Sequence, residues 1–528
     1  MGLRKLRVYQ MLTSPQFGRS SFVLLSKAAS GIMNSFPYST ANGSFEEAVN
    51  ALNALQSNAA ALQNIVNRKK NSEVKTAKYL EICGLSLKEL EDKLSVVHVT
   101  GTKGKGSTCS FSESILRRQG FKTGFFSSPH LVSVRERIRL NGNPISTTMF
   151  AHYFWHVHNK LVAGLKNEEA MPAYFNFLTV MALSIFYEEN VDVIVLEVGI
   201  GGTYDSTNVF RKTPVVGFTS IGLDHTSILG NTVDEIAMSK SGIMKPGCIA
   251  FTSPHQQSSV LNVLRSQAAN IQCTLLEAPL PSEYSTDCGD SALNFLSGPQ
   301  SLNASLALQL TKAWVKRKYD SNFVPSEPDL KVNYDEIEGL RNCFWPGRFQ
   351  QLRRGVCNYY LDGAHTSDSI SHCASWFLNS ASKANNRKSK RILVFNTTGN
   401  RDPENLLRSL IPCNFDFILF CPNITFSDGS LQPASFVSSY ESYEQMRSRC
   451  QVHKEVWLKI SINSECTVKT FPSVTETIGF LEENLYDSEN HVLVTGSLIL
   501  VGHVLSILEP NLFQQNQIAS GDPSIKSL

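Results

Sequence analysis

The densest grouping of chemically capable residues is VVHVTGTKGKGST, residues 96–108. A β-branched run stops at Gly101. Glycines 101, 104 and 106 are then interspersed with Lys103 and Lys105, and Ser107 and Thr108 open a segment with helical spacing. A strand, a flexible loop and a helix N-terminus in that order present backbone N–H groups and the positive end of a helix dipole. That combination favours a bound phosphate chain, and glycine lets the chain approach the backbone closely. The strict pattern G-x-x-x-x-G-K-[ST] fails at two places: Val99 stands where the first glycine belongs, and Gly106 separates Lys105 from Ser107. The chemistry survives these departures, because Gly104, Lys105, Gly106 and Ser107 still supply a pliable backbone, a cation and a hydroxyl. A plain glycine turn between strand and helix is the competing reading.

Further chemically capable residues follow apolar runs. SSPHL at residues 127–131 follows residues 123–126, placing hydroxyls where open α/β sheets bind ligands. The continuous apolar run VDVIVLE predicts a strand buried on both faces, ending in Glu197. A carboxylate there, beside a phosphate loop, is well placed to hold magnesium, and without a cation or donor its burial would be costly. Residues 214–221 repeat the pattern and end in GLDH, which puts Asp224 and His225 on the same rim. SKSGIMKPG then offers Lys240 and Lys245 as cations or modifiable amines, although a helix C-terminus attracts lysine for dipole reasons alone. Later strand ends carry Asp362, His365 and Asn396, where a second substrate could bind across a cleft.

Two groups are ambiguous. Arg135, Arg137 and Arg139 alternate with apolar residues ahead of the Asn141-Gly142 turn signal, so they read either as attractors of an acidic substrate or as a solvated strand face. His152 and His156 lie one helical turn apart and could chelate a metal. They sit among Tyr153, Phe154 and Trp155 without an acidic neighbour, which with His158 favours a packed or surface role.

The elements that must position these residues are those of an α/β protein. Residues 44–94 are expected to be mostly helical, with Ala48, Leu52, Leu55, Ala59, Leu62 and Val66 at spacings of three and four. The strand of residues 96–99 delivers the loop, and Phe111, Ile115 and Leu116 give the next helix its core face. Residues 302–314 predict another helix and residues 321–329 a loop. After WPGRFQ, strands are expected at residues 359–361, 392–395, 415–421 and 492–494, making a second α/β domain with a parallel sheet. The basic stretch 386–391 reads as an exposed loop ahead of a strand. The expected domains are 1–45 (transit segment), 46–345, 346–510 and 511–528 (tail). The fold class is thus α/β with two domains: a P-loop ATPase-like, mostly parallel sheet with flanking helices, then a smaller Rossmann-like domain.

Composition narrows the partners. The chain has 528 residues, ordinary hydrophobic content of 42%, and a net charge of +3, which offers no field that argues for nucleic acid. Arg4, Lys5, Arg7, Arg19 and Lys27 precede any acidic residue; without the first 45 residues the net charge is −2. That serine-rich, acid-free start has the profile of an organelle transit peptide, with the arginines favouring the mitochondrial matrix over a plastid or cytoplasmic location. The twelve cysteines form no C-x-x-C pair and read as buried thiols in a reducing compartment, making the sequons at Asn303, Asn396 and Asn423 incidental. The most apolar segment, 173–187, is too short and polar to span a membrane and predicts a buried helix. Residue types and spacing therefore indicate an ATP-dependent enzyme with at least two small-molecule sites, closing over ATP to exclude water.

The ordered motifs TGTKGKGST, SSPHL, RERIRLNG, LEVGIGGTYDSTN, GLDH, SKSGIMKPG, WPGR, DGAHTSDS and FNTTGNRD, across residues 44–508, resemble the eukaryotic folylpolyglutamate synthases, relatives of the Mur ligases. The resemblance implies an ATP- and Mg2+-dependent ligase, with a monovalent cation such as K+ as a further candidate cofactor. It would add L-glutamate to the γ-carboxylate of tetrahydrofolates through an acyl phosphate. Dihydrofolate synthase or a bifunctional form is the alternative, and a monomer is expected. It further implies that Gly104, Lys105, Gly106 and Ser107 bind ATP phosphates and that Ser128, Glu197, His225 and a carbamylated Lys240 hold metal. Arg348 and Asp362 would contact ATP, while His365 and Ser497 would hold glutamate. Lys105, Lys240 and His365 are the implied catalytic residues. Thr203 departs from the arginine that bacterial relatives often carry.

Overall fold

The computed structural model describes residues 43–55, 72–166, 170–286, 289, 291–381, 389–399, 401–427, 441–461, 466–484 and 489–512. The transit segment and the tail beyond residue 512 lie outside the described residues.

The first sheet has eight strands: β1 (Val96–Thr100), β2 (Thr123–Phe126), β3 (Ile138–Leu140), β4 (Asn143–Pro144), β5 (Val193–Glu197), β6 (Val215–Phe218), β7 (Ile249–Thr252) and β8 (Thr274–Glu277). Their spatial order is β4-β3-β2-β5-β1-β6-β7-β8. The six strands from β2 to β8 in that order are parallel, and only β3 and β4 pair antiparallel at one edge. Because β1 is central, its carboxyl end is flanked by those of β5 and β6, with Val99 opposite Glu197 and Thr100 opposite Phe218. Both faces are covered. Val97, Val99, Val195 and Phe251 pack with Leu306 and Trp314 of the helix Pro299–Tyr319 on one side. Val216, Phe218 and Ala250 pack with Ile236 and Leu264 on the other. Continuous apolar strands are what such two-sided burial requires.

β9 (Ser285–Thr286) and β10 (Lys331–Val332) make a small separate pair. The second large sheet has six strands: β11 (Gln350–Arg354), β12 (Cys357–Leu361), β13 (Lys390–Phe395), β14 (Phe417–Phe420), β15 (Thr467–Thr470) and β16 (Asn490–Thr495), in the order β11-β12-β16-β13-β14-β15. Only β11 is antiparallel. This sheet has its own core on each face, around Phe377 and Phe395 on one and Val394 and Val504 on the other.

Four expected strands of the second sheet fall where the apolar runs indicated. β11 and β15 were not expected, because QQLRR and TVKT are mostly polar and form the two edges of the sheet. The amino-terminal helical stretch is three helices, Phe45–Ala54, Ser72–Ile82 and Leu87–Lys93; Ala59, Leu62 and Val66 lie outside the described residues, as do residues 386–388 of the basic stretch, whose Lys390 and Arg391 belong to β13. Ser44 and Ser86 start the first and third by capping boxes with Glu47 and Glu89. The segment read as an alternating strand begins instead as a 3-10 turn, Val134–Arg137, and only then becomes β3. Asn141 and Gly142, with φ of 49° and 81°, make the expected tight turn into β4. Among the described residues no helix is long and apolar enough to cross a membrane, and the segment at 173–187 is the buried helix Tyr174–Glu188. The described cysteines are free thiols, most of them buried, and the three sequon asparagines are buried as well.

Candidate active site

A cavity of about 1550 Å³ opens at the carboxyl ends of β1, β5 and β6 and extends to the end of β12. The phosphate loop forms its floor. Gly104 has φ 90°, and a Cβ there would stand 2.2 Å from Asn303 Oδ1, so only glycine fits at the start of the helix Lys105–Arg118. No side chain caps that helix, which leaves its first N–H groups directed at the cavity. Gln300 reaches the loop from another helix, its Nε2 donating to Ser107 Oγ at 3.4 Å.

Two lysines converge on one carbonyl. Lys105 Nζ donates to Gly101 O at 3.2 Å and Lys240 Nζ donates to the same oxygen at 2.8 Å. Lys240 is 3% exposed, and burial, reinforced by the charge of Lys105, brings its ammonium down to about 7. A substantial fraction of this amine is therefore neutral, and nucleophilic, near neutral pH. Lys240 sits near the end of the helix Val233–Ser241, whose capping box at Thr232 and Glu235 fixes where it begins.

Glu197 is buried at the end of β5, and its Oε2 accepts the Ser128 N–H at 3.1 Å. Burial raises its carboxyl above the usual range, opposed by Lys105, the Ser128 N–H, Arg348 and Arg137. A Cβ on Gly106 would lie 3.3 Å from Glu197 Oε2, so carboxylate and loop are in near contact. Ser128 and the exposed His225 line the same cavity. A hydroxyl, a carboxylate short of donors and an imidazole are a donor set that suits a hard or borderline divalent cation. Among the described residues no group of three or more His, Cys, Asp or Glu forms a cage by itself. His152 and His156 stack on each other at 6.3 Å between ring centroids on their own helix, away from this cavity.

The second sheet contributes Asp362 and His365. Asp362 is buried, with Oδ2 accepting Phe349 N–H at 3.0 Å and Oδ1 accepting Ala364 N–H at 2.9 Å. Burial raises its carboxyl, and the charge of Arg348 opposes that rise, as it does at Glu197, so Arg348 serves carboxylates of both sheets. His365 Nδ1 lies 2.8 Å from Gly363 O, an oxygen that only accepts. Nδ1 must therefore carry the proton, leaving Nε2 to accept from Lys103 Nζ at 3.3 Å. Burial, with Lys103 nearby, lowers this imidazole to about 4, so it is neutral. Lys103 also lies 3.5 Å from Asp224 Oδ2, and Arg401 Nη1 donates to His365 O.

The structure thus brings to one cavity Gly104, Lys105, Gly106, Ser107, Ser128, Glu197, His225, Arg348, Asp362 and His365, with Lys240 joined to it through Gly101. Ser497 is placed differently: it is buried outside the lining, its Oγ accepting Ile499 N–H at 3.2 Å as the cap of the helix Leu498–Leu508. Asn396 is likewise outside that lining, its Nδ2 donating to Cys421 O at 2.7 Å and its Oδ1 accepting Thr397 N–H at 2.8 Å. Thr203 bonds Ser239 O through both N–H and Oγ1, and its own carbonyl oxygen accepts Asn208 Nδ2 at 3.0 Å.

The solvated-face reading of the arginines is overturned. Arg137 and Arg139 are 8% and 4% exposed. Arg137 donates to His130 Nδ1 at 2.8 Å, stacks 5.2 Å over the Tyr174 ring and lines the cavity. Arg139 lies 4.9 Å from the centroid of Trp345. Distant aromatic residues cover these cations. Sequence reasoning also missed Lys103, whose signal was its place between two loop glycines.

The family model described as "Dihydrofolate synthetase, C-terminal domain" matches residues 347–507. The mitochondrial folylpolyglutamate synthases of Bos taurus and Homo sapiens are each 38% identical to the chain, over 89% of its length and 93% and 92% of theirs. The chain belongs to the folylpolyglutamate synthase family. Among solved structures in that family, the folylpolyglutamate synthase of Thermotoga maritima matches with a TM-score of 0.60 at 25% identity, covering 81% of this chain and 93% of that one. E. coli FolC in complex with DHPP and ADP matches with a TM-score of 0.63 at 24% identity, covering 89% and 98%, which supports the two-domain α/β fold.

Proposed function

We propose that this chain is an ATP-dependent ligase that adds L-glutamate to the γ-carboxylate of tetrahydrofolyl-(poly)glutamate, giving ADP and phosphate. The observation that carries the reading is the convergence of Lys105 and Lys240 on Gly101 O beside the under-bonded Glu197, within one cavity reaching both sheets. Membership of the family supplies the substrate class.

In this reading Gly104, Lys105, Gly106 and Ser107 cradle the ATP phosphates, while Lys105 and Arg348 offset charge on the phosphoryl group as it moves to the substrate carboxylate. Such electrostatic support is the main contribution a protein can make to phosphoryl transfer. The incoming glutamate amine then displaces phosphate from the acyl phosphate, and a closed cavity protects that intermediate from water. Ser128, Glu197, His225 and carbamylated Lys240 would hold Mg2+, which when bound supplies Lewis-acid stabilisation of phosphoryl oxygens. Carbamylation needs a neutral amine, and a lysine brought to about 7 provides one. Neutral His365 acts as an acceptor that positions Lys103 rather than as a base.

The description of the matching family model favours a second reading, dihydrofolate synthase, using the same ATP chemistry on dihydropteroate. Purified protein given ATP, glutamate and either tetrahydrofolate or dihydropteroate separates the two. A product ladder spaced by one glutamate residue is expected from tetrahydrofolate, and turnover of dihydropteroate alone would overturn the first reading.

Location in the mitochondrial matrix is part of the same proposal. The named mitochondrial relatives and the basic, acid-free first 45 residues support it. Mature protein from isolated organelles should begin around residues 30–45, and an intact Met1 would count against it.

A further inference from the structure

Two cysteines that the ligase site does not use lie side by side where neighbouring strands begin. β7 and β8 run parallel with Ile249 opposite Thr274, so Cys248 and Cys273, one residue earlier in each, are also opposite, and Thr274 N–H donates to Cys248 O at 3.2 Å. Residues in register on adjacent strands project to the same face, and both thiols belong to the same apolar cluster with Ala250 and Leu264. Adjacent strands sit about 4.8 Å apart, inside the range of roughly 4.4–6.8 Å between Cα atoms that a disulfide spans.

The surroundings of the two thiols differ in a way that assigns each a role. Cys248 closes the turn after the Lys240 helix, and its Sγ accepts the Lys245 N–H at 3.4 Å. The neighbouring Cys273 thiol, that N–H and the charges of Lys245 and Arg317 together outweigh burial and hold this thiol below its usual range. Cys273 follows the C-terminus of the helix Ser258–Ile271, its N–H donating to Ala268 O at 2.9 Å. The neighbouring Cys248 sulfur, together with burial, keeps its proton on, and the negative helix end acts in the same direction.

We propose that Cys248 and Cys273 form a peroxide-oxidised, thiol-reversible disulfide that staples the start of β7 to the start of β8. The Cys248 thiolate attacks one oxygen of hydrogen peroxide, giving a sulfenic acid and hydroxide, which takes up a proton to become water. The Cys273 sulfur then attacks the Cys248 sulfur, loses its proton and expels the second water. Two thiols and one peroxide thus become one disulfide and two waters.

The test uses the full chain with Cys288→Ser, so that Cys273 is the only thiol on its tryptic peptide, residues 266–312; Cys248 lies on residues 241–265. After hydrogen peroxide, mass spectrometry should find these peptides joined and lighter by two hydrogen atoms, and dithiothreitol should separate them. In the further variant Cys273→Ser the join should disappear and Cys248 should react with dimedone as a sulfenic acid. Unjoined peptides after peroxide treatment, or Cys273 joined to a different cysteine, would overturn the proposal. The Cys288→Ser peptide map decides the matter even if the double variant folds poorly.

Discussion

At the carboxyl end of β5, buried Glu197 has the Ser128 N–H for its two oxygens; at the carboxyl end of β12, equally buried Asp362 has a backbone N–H on each. The same contrast runs along the two rims. On the first sheet, Lys105 and Lys240 share one carbonyl oxygen, which leaves each ammonium with unused donor capacity. On the second, Asn396 is bonded at both ends of its amide, and Thr425 Oγ1 meets His503 Nδ1 at 2.8 Å. An unmet bond on a buried charged group costs stability and is kept only where something else gains from it. At these positions the first rim is held ready for ligands, while the second presents Asp362 and His365 from a bonded scaffold; bonding there is not complete, since Asn423 Oδ1 and His453 Nδ1 are buried with no hydrogen-bond partner among the described residues.

The strongest way to break this contrast is Glu197→Gln. Removing the charge should lower kcat on the order of 10³-fold, while the thermal midpoint stays level or rises because a poorly bonded buried carboxylate is gone. Near-normal glutamate addition would take Glu197 out of the chemistry. A fall in midpoint equal to that of Asp362→Asn would show that the two carboxylates are alike.

Acid should act next most strongly, and mainly on the second sheet. Burial lowers His98 to about 3, His453 to about 3 and His503 to about 4. Between those values and about 6.5 the unfolded chain binds more protons than the folded one, so this stability is complete above about 6.5 and is lost as pH falls. At pH 5 each histidine should cost about 2 kcal/mol. His453 and His503 lie on the helices Tyr443–Ile460 and Leu498–Leu508 of the second domain, so limited proteolysis at pH 5 should cut there first. A urea midpoint that does not change between pH 7 and pH 5 would refute it.

The same contrast explains what could be read from the sequence. Strand-end residues such as Glu197 and Asp362 were legible because a continuous apolar run predicts a buried strand, and its last polar residue falls on the rim. Arg137 and Arg139 were not, because alternation with apolar residues looks the same whether the polar face meets water or aromatic rings. Tyr174 and Trp345, which cover them, come from remote parts of the chain. Ser497 was assigned through the family resemblance alone, and a resemblance does not tell a cap from a contact: a serine just before an apolar run is also how a helix begins. β11 and β15 escaped because edge strands carry too few apolar residues to register by periodicity.

Lys103 joins the two rims through Asp224 and His365, which makes it a sensitive probe of whether they act together. Lys103→Met should lower kcat roughly tenfold through lost positioning and leave the thermal midpoint nearly unchanged, since the lysine is partly exposed. A change confined to the KM for ATP would instead make it a phosphate ligand of the first rim alone.

The smallest expected effect tests the scaffold side directly. Ser497 Oγ accepts Ile499 N–H at 3.2 Å and the residue is 2% exposed. Ser497→Ala removes a helix cap, so stability should fall by about 1 kcal/mol, with the KM for glutamate unchanged. Ser497→Asp, also a good cap, should restore the stability only if the buried site tolerates its charge, so Ser497→Thr is the better rescue. If the KM for glutamate rises several-fold in Ser497→Ala while the urea midpoint holds, this hydroxyl serves the ligand and not the helix. The second rim would then be reactive at that point, and the division between a ready rim and a scaffold rim would have to be redrawn.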